Sequence, residues 1–213
     1  MVDKLENTLS NLEIKDKENQ IQNQNLIFGK FKKSDLEIED LDTIIESVEE
    51  IKNIFYNNYS SDRNSTLKNK ILIAIKILDK YLSNVNTLKK AEMCFIYYCK
   101  SFILDKLPEY TKEAEESANK SLKLNPFNSE SYNCIGHIIW KKGDIDLALN
   151  YFKQALQINK KDKETLRNLS MILRAQKTEN SEQKRNICLE SVKYAKESVD
   201  IDIKDGYSWC KLV

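Results

Sequence analysis

Two arginines and the side chains between them have the chemistry needed to hold a peptide. Arg167 and Arg174 are seven residues apart, so on a helix they share one face. Asn168 and Met171 lie between them and add an amide and a thioether. A planar guanidinium holds a carboxylate by two hydrogen bonds, and an amide can pair with backbone groups. These residues therefore predict a site for a short extended peptide that carries an acidic side chain.

The helix that precedes these residues in the chain is expected to extend the same surface. Its candidate groove residues are Asn133, His137, Trp140 and Lys141. The alternative, that any one of these side chains is an ordinary solvated helix residue, stays open from the sequence.

Catalytic or metal chemistry is not expected. His137 is the only histidine, and it lies beside Gly136, a helix-packing position, so a Ser/His/Asp or Cys/His arrangement is improbable. The four glycines are isolated, and the five cysteines form no Cys-x-x-Cys pair. We predict no enzyme, no metal and no cofactor. The odd cysteine count and the lack of a secretion signal predict reduced thiols, most of them small core residues.

The elements that position these side chains follow a 34-residue helix–turn–helix pattern. Small residues at fixed offsets let two helices approach, and large ones fill the space around the crossing. A glycine, Gly143, stands where the first helix should end. The pattern predicts an all-α tetratricopeptide-repeat superhelix of stacked antiparallel helix pairs. Its slots are occupied by Tyr132, Ile135, Gly136, Ile139, Ala148, Phe152 and Ala155.

Weaker copies of the pattern flank this repeat. One carries its slots at Phe95, Tyr98, Cys99, Phe102, Ala114, Ala118 and Ser121, and the other at Leu166, Leu169, Ser170, Leu173, Ser191, Ala195 and Ser198. The second helix of the later copy starts late, which predicts an exposed loop near residues 176–183. Another unit begins at Tyr207 with Trp209 in its aromatic slot. Because repeat arrays normally close with a polar helix, we expect a fragment, truncated at its C-terminus.

Three regions are predicted along the chain. Residues 1–33 form a flexible N-terminal segment, 34–90 a helical hairpin, and 91–213 the repeats, the last one incomplete. The hairpin should consist of one helix from Ser34 and a second from about Ser65 to Leu82. The apolar stripe of that second helix is widened by Leu72, Ile73 and Ile77 and predicts burial on more than one side.

Overall charge limits the classes of partner. The chain has 34 Lys and Arg against 33 Asp and Glu, whereas nucleic-acid binding favours a basic surplus. No apolar run approaches the ~20 residues that cross a membrane. We therefore predict no direct nucleic-acid partner and no membrane partner.

Three motifs in order resemble one family of repeat proteins. They are Trp-Lys-Lys-Gly-Asp at 140–144, Asn-Leu-Ser-Met-Ile-Leu-Arg at 168–174 and Asp-Gly-Tyr-Ser-Trp at 205–209. From about Leu36 to Leu212 the chain resembles the amino-terminal half of the tetratricopeptide repeat protein 5 (Strap) family, although the part before Leu88 matches only in helical pattern. The delayed second helix is also a feature of that family.

The resemblance implies a role in tubulin autoregulation. Members recognise the nascent tubulin N-terminal peptide, Met-Arg-Glu, at the ribosome and recruit an mRNA-decay adaptor. The arginine linked to that peptide corresponds to Arg174, which is why we favour binding at this residue. The family also implies a nuclear transcription cofactor of the stress response with an acetyltransferase coactivator as partner, and hence a cytoplasmic and also nuclear location.

Two departures from the family matter. The later repeats and the carboxy-terminal oligonucleotide-binding-like domain are missing, so ribosome contacts assigned to them are not carried over. Three interpretations stay open: a tubulin-peptide adaptor, a scaffold or transcription cofactor that uses the same concave face, and a truncated non-functional fragment.

Overall fold

The computed structural model describes residues 26–27, 31–57 and 63–212. Two short strands pair antiparallel ahead of the helices, and 3-10 turns occupy Lys33–Asp35 and Val85–Thr87. The strands are β1 (Leu26–Ile27) and β2 (Phe31–Lys32). The helices are α1 (Leu41–Asn57), α2 (Arg63–Leu82), α3 (Lys90–Asp105), α4 (Lys112–Leu124), α5 (Ser129–Lys142), α6 (Ile145–Ile158), α7 (Lys163–Ala175), α8 (Ser181–Ile201) and α9 (Gly206–Leu212).

Consecutive helices pack in pairs, and the pairs stack in chain order. The pairs are α1 with α2, α3 with α4, α5 with α6 and α7 with α8, and α9 packs on both members of the last pair. The second helix of each repeat also contacts the first helix of the next, and α3 contacts α5 directly. The predicted all-α tetratricopeptide-repeat superhelix is confirmed.

The central repeat has the predicted close crossing. A Cβ atom at Gly136 would lie 2.6 Å from the ring of Phe152, so only glycine allows the two helices to approach this closely. Ala148, Phe152 and Ala155 are fully buried, as their slots require. Gly143 ends α5 in the left-handed conformation with a φ of 97°, where glycine avoids the steric cost of a side chain.

The flanking repeats bury the expected small residues but differ in their connection. In the later repeat, the Ser191 hydroxyl donates to the backbone carbonyl of Ser170 at 2.9 Å, which joins α8 to α7. The expected exposed loop is shorter than predicted. It spans residues 176–180, because the Asn180 side chain caps α8 by accepting from the backbone N–H of Glu182 and Gln183.

The first helix begins later than the sequence predicted. We expected it to start at Ser34, but α1 starts at Leu41. In the segment before it, Leu36 and Ile38 are buried on either side of Glu37 in the sequence. The backbone N–H of Glu37 donates to the Glu92 carboxylate at 2.8 Å. This short segment therefore contributes to the core without being α-helical.

The wide apolar stripe of α2 is only partly buried. Leu67, Ile71 and Leu78 are buried, but Leu72 and Ile73 are 58% and 56% exposed. The prediction that this stripe is buried on more than one side is therefore wrong, because the helices packed on α2 leave Leu72 and Ile73 uncovered.

The predicted flexible segment lies mostly outside the described residues. At the other end, α9 forms where the last unit was expected to begin, and Trp209 is 45% exposed. Within the described residues, no helix combines the length and apolar character that would let it cross a lipid bilayer.

Candidate functional site

Arg174 lies at the end of α7 and reaches α9. Its Nη2 donates to the backbone carbonyl of Lys211 at 2.6 Å and to the Ser170 hydroxyl at 3.3 Å, and its Nε donates to the Ser170 carbonyl at 3.3 Å. All of these acceptors are uncharged. Within residues 31–57 and 63–212, no carboxylate forms an ion pair with this exposed guanidinium.

Arg167, seven residues earlier on the same helix, has a different environment. Its Nη1 lies 2.5 Å from the Asp205 carboxylate and 3.3 Å from the Ser208 hydroxyl. Its guanidinium also lies over the Tyr207 ring, 5.0 Å from the centroid. Arg167 is therefore paired with Asp205, directly before α9, and its side chain connects α7 to α9.

Asn168 and Met171 lie between the two arginines, with Asn168 buried and Met171 half-buried. The Asn168 side chain is 5% exposed, yet its Nδ2 donates to none of the described residues. Leaving a buried amide donor unsatisfied costs about 1–3 kcal/mol. Asn168 therefore has unused hydrogen-bonding capacity.

Asn133 uses its amide inside the protein. Its Nδ2 donates to the Asp162 carboxylate at 2.9 Å and to the Thr165 hydroxyl at 2.7 Å, and that hydroxyl donates back to its Oδ1 at 3.0 Å. These contacts join α5 to the start of α7. The peptide-binding assignment of Asn133 stays a prediction, but both polar atoms of the side chain already have partners.

Lys141 belongs to a charged cluster that the sequence analysis missed. Its Nζ lies 2.9 Å from Asp105 Oδ1 and donates to the backbone carbonyls of Asp105 and Leu107. Asp105 also pairs with Lys106 at 3.3 Å. Asp105 is 6% exposed and Lys106 is 5% exposed. No repeat slot covers the residues at the end of α3, so spacing could not reveal the cluster.

Aromatic rings surround the buried Lys106 ammonium. The Nζ lies 4.2 Å from the centroid of Phe102, 5.2 Å from Phe55 and 5.7 Å from Tyr56. The Tyr56 ring in turn meets the Tyr207 ring edge-on at 6.2 Å, so α1 contacts α9. Burial would lower the pKa of Lys106, but the Asp105 charge outweighs it and holds the pKa above its ordinary value.

His137 lies beside this cluster and packs edge-on against Phe152 at 5.4 Å between ring centroids. Burial lowers the pKa of His137, and the Asp105 carboxylate only partly offsets that effect. The imidazole is therefore neutral at neutral pH, where it serves as a packing group.

Acidification should consequently weaken the fold through His137. Because its folded pKa lies below the unfolded value, the unfolded chain takes up the proton first as the pH falls from about 7 to 5. We expect the free energy of unfolding to fall more steeply over this range in the wild type than in His137→Gln. Urea denaturation at several pH values measures both slopes, and parallel curves for the two proteins would contradict the expectation.

The cysteines divide into two groups. Cys94, Cys99 and Cys134 are buried core residues, as expected, whereas Cys188 and Cys210 are exposed. Burial raises the pKa of the Cys134 thiol to about 12, so this thiol stays protonated and unreactive. Among the described residues, no group of three or more His, Cys, Asp or Glu side chains is placed to hold a metal ion.

Comparisons with known proteins agree with this architecture. No family model matches the sequence. Over 106 residues, 50% of the chain, the sequence is 41% identical to tetratricopeptide repeat protein 5 of Bos taurus, 39% to that of Homo sapiens and 40% to that of Mus musculus. The match covers 24% of each relative, so it spans about a quarter of their length.

A solved structure shares the fold. The crystal structure of MamA superposes with a TM-score of 0.51 and 13% sequence identity, covering 73% of this chain and 82% of MamA. Together, the relatives and this structure confirm the resemblance to tetratricopeptide repeat protein 5 and the repeat fold.

Proposed function

We propose that this tetratricopeptide-repeat chain is a protein-binding adaptor and not an enzyme. Its ligand is a short extended peptide with an acidic side chain, bound along the first helices α5, α7 and α9. The observation that carries the proposal is the charge of Arg174, which among the described residues is bonded only to uncharged oxygens.

The neighbouring cations support this choice by contrast. Arg167 is paired with Asp205 and Lys141 with Asp105, so each of these cations already has an anionic partner inside the protein. An incoming carboxylate would give Arg174 the anionic partner that it lacks within residues 31–57 and 63–212. A guanidinium–carboxylate pair of this kind is short and among the stronger hydrogen-bonded contacts in proteins.

Asn168 supports a peptide as the ligand class. Its Nδ2 is buried without a partner, so a carbonyl oxygen from an extended backbone would pair with it once the amide turns toward the ligand. The half-buried thioether of Met171 would receive an apolar side chain. The three residues follow one another along α7, as an extended ligand requires.

The resemblance adds a specific identity to this proposal. We propose the nascent tubulin N-terminal peptide as the ligand, with its glutamate paired to Arg174, in the control of tubulin mRNA at ribosomes. An mRNA-decay adaptor would be recruited as the second partner, and the protein would act in the cytoplasm and also in the nucleus. The support is the 39–41% identity to tetratricopeptide repeat protein 5, over a quarter of those relatives.

The test is the affinity of a labelled Met-Arg-Glu-Ile peptide for the full chain, measured by fluorescence anisotropy. We expect Arg174→Ala to weaken binding about 10- to 100-fold, since a hydrogen bond to a charged group contributes about 1.5–3 kcal/mol. A Met-Arg-Gln-Ile peptide should bind the wild type more weakly than Met-Arg-Glu-Ile does, by about the same factor. The Arg174→Ala variant should bind the two peptides with nearly equal affinity.

Lys177→Ala is the matched control, because it removes an exposed cation close by in the chain and should leave the affinity unchanged. Circular dichroism checks that the variants stay folded. Equal affinity of the wild type and Arg174→Ala would remove Arg174 from the site. Binding of neither peptide, together with capture of an acetyltransferase coactivator, would favour the transcription-cofactor role.

A further inference from the structure

The outer face of α2 carries two large apolar side chains that no part of the described chain covers. Leu72 and Ile73 are adjacent and more than half exposed. The opposite face of the helix is buried through Leu67, Ile71 and Leu78. The pair therefore lies on a surface pointing away from the hairpin, and it is not part of the hairpin core.

Lysines predominate on this face, and the half-exposed acid of the helix, Asp79, is paired with Lys100. Lys68, Leu72 and Lys76 follow one another at four-residue intervals, so they form a stripe along the helix. Lys68 and Lys76 form no ion pair with any residue that the structure describes, while Lys80 lies 3.7 Å from Asp40. The most exposed residues of α2 include three lysines; they are Asn64, Ser65, Thr66, Lys68, Asn69, Leu72, Ile73, Lys76 and Lys80.

The second helices of the next two repeats lack this combination. The exposed face of α4 carries Glu113 and Glu116 among its lysines, and Lys112 pairs with Glu116 at 3.6 Å. The exposed face of α6 includes Asp146. Neither α4 nor α6 therefore has a basic face around an adjacent pair of exposed apolar side chains, whereas α8 carries Leu189 and Val192 among basic residues. We call the surface formed by Lys68, Leu72, Ile73 and Lys76 the α2 basic face.

We propose that the α2 basic face binds an acidic amphipathic helix of a partner protein. Leucines of the partner helix at positions i, i+3, i+4 and i+7 would cover Leu72 and Ile73, and its glutamates would meet Lys68 and Lys76. Exposed apolar patches bordered by polar residues mark such docking sites.

Two other occupants fit the observations less well. A symmetric pairing of two copies through this face would place the same lysines opposite one another. A membrane surface favours a helix with aromatic side chains and a broad apolar face, whereas the exposed residues of α2 include only Leu72 and Ile73 as apolar groups. The proposal does not depend on peptide binding at Arg174, which lies on a different pair of helices.

The test uses a fluorescein-labelled synthetic helix with leucines at those positions and glutamates around them. Anisotropy with the full chain should show saturable binding that weakens as NaCl is raised. Leu72→Ser/Ile73→Ser should weaken it at least about tenfold, since both apolar contacts are lost. Lys68→Glu/Lys76→Glu should weaken it as strongly through charge repulsion, and both pairs are exposed, so thermal unfolding should be unchanged.

Leu189→Ser/Val192→Ser is the control, because it removes two exposed apolar residues that stand among basic residues on α8. It should bind like the wild type. The proposal is rejected if Leu72→Ser/Ile73→Ser binds like the wild type, or if a lysine-for-glutamate version of the peptide binds equally well. It is also rejected if the face instead mediates dimerisation, or binds vesicles with about 30% phosphatidylserine but not the peptide.

Discussion

Replacing Asp105 by asparagine is expected to destabilise the protein by about 3–5 kcal/mol. The carboxylate is 6% exposed and holds two cations, with Lys106 at 3.3 Å and Lys141 at 2.9 Å. Without it, the ammonium of Lys106 stays buried among aromatic rings with no opposite charge. Removing one partner of a buried ion pair costs more than removing both, because the remaining charge is left uncompensated.

The pH dependence of this loss follows from the pKa of Asp105. Burial by itself would raise that pKa, but Lys106, His137 and Lys141 outweigh it and hold the pKa below its ordinary value. The carboxylate therefore stabilises the fold at neutral pH, and this stabilisation is lost as the pH falls through the folded pKa. The difference in the free energy of unfolding between the wild type and Asp105→Asn should therefore become smaller as the pH is lowered.

Urea denaturation at pH 7 measures the effect. Glu49→Gln is the control, because it breaks an exposed pair with Lys52 at 3.5 Å and should change stability by no more than about 1 kcal/mol. A loss at Asp105 no greater than the loss at Glu49 would show that the cluster contributes nothing beyond a surface ion pair.

The second large effect is expected at Phe152. Its ring is fully buried against Gly136, with His137 and Trp140 edge-on at 5.4 Å and 6.5 Å between centroids. Phe152→Ala should cost about 3–5 kcal/mol, from lost apolar burial and the cavity that remains. Thermal or urea unfolding of the full chain measures this loss.

The same ring makes a sharper test with Gly136. In the wild type, Gly136→Ala should cost about 1–3 kcal/mol, because the new methyl group would lie 2.6 Å from the Phe152 ring. In the Phe152→Ala background the methyl group meets an open space, and the higher helix propensity of alanine should make the change neutral or favourable. The two substitutions should therefore be strongly non-additive.

Gly206→Ala serves as the control for helix propensity alone, since a Cβ there meets nothing within 4 Å. It should combine additively with Phe152→Ala. Additive losses for Gly136→Ala and Phe152→Ala would mean that the ring does not limit the helix crossing.

The repeat core was predictable because it depends on residue size at fixed intervals. Gly136, Phe152 and Gly143 have the expected roles because close crossing and helix termination are local or nearly local requirements. The stripe on α2 was misjudged for the opposite reason. Periodicity shows that Leu72 and Ile73 share a helix face with apolar neighbours, but not whether another element covers that face.

The candidate site shows a similar limit. Helical offsets place Arg167 and Arg174 on one face of α7, but they do not reveal that Asp205 neutralises the first and only uncharged oxygens meet the second. That difference arises from contacts with a helix far along the chain. Asp105 and Lys106 were missed because they are the last residue and the C-cap of α3, where the repeat pattern makes no demand on residue type.

The edge-on contact between Tyr56 and Tyr207 has a mechanical consequence. Each stacked repeat contacts mainly its neighbours, so small changes at every interface between repeats add up to a change in the curvature of the array. The Tyr56–Tyr207 pair joins α1 to α9, two helices far apart in the chain, and an aromatic pair contributes about 0.5–1.5 kcal/mol beyond its buried area. Removing this contact, by Tyr56→Ala for example, should therefore leave the repeats folded while changing the relative orientation of α1 and α9.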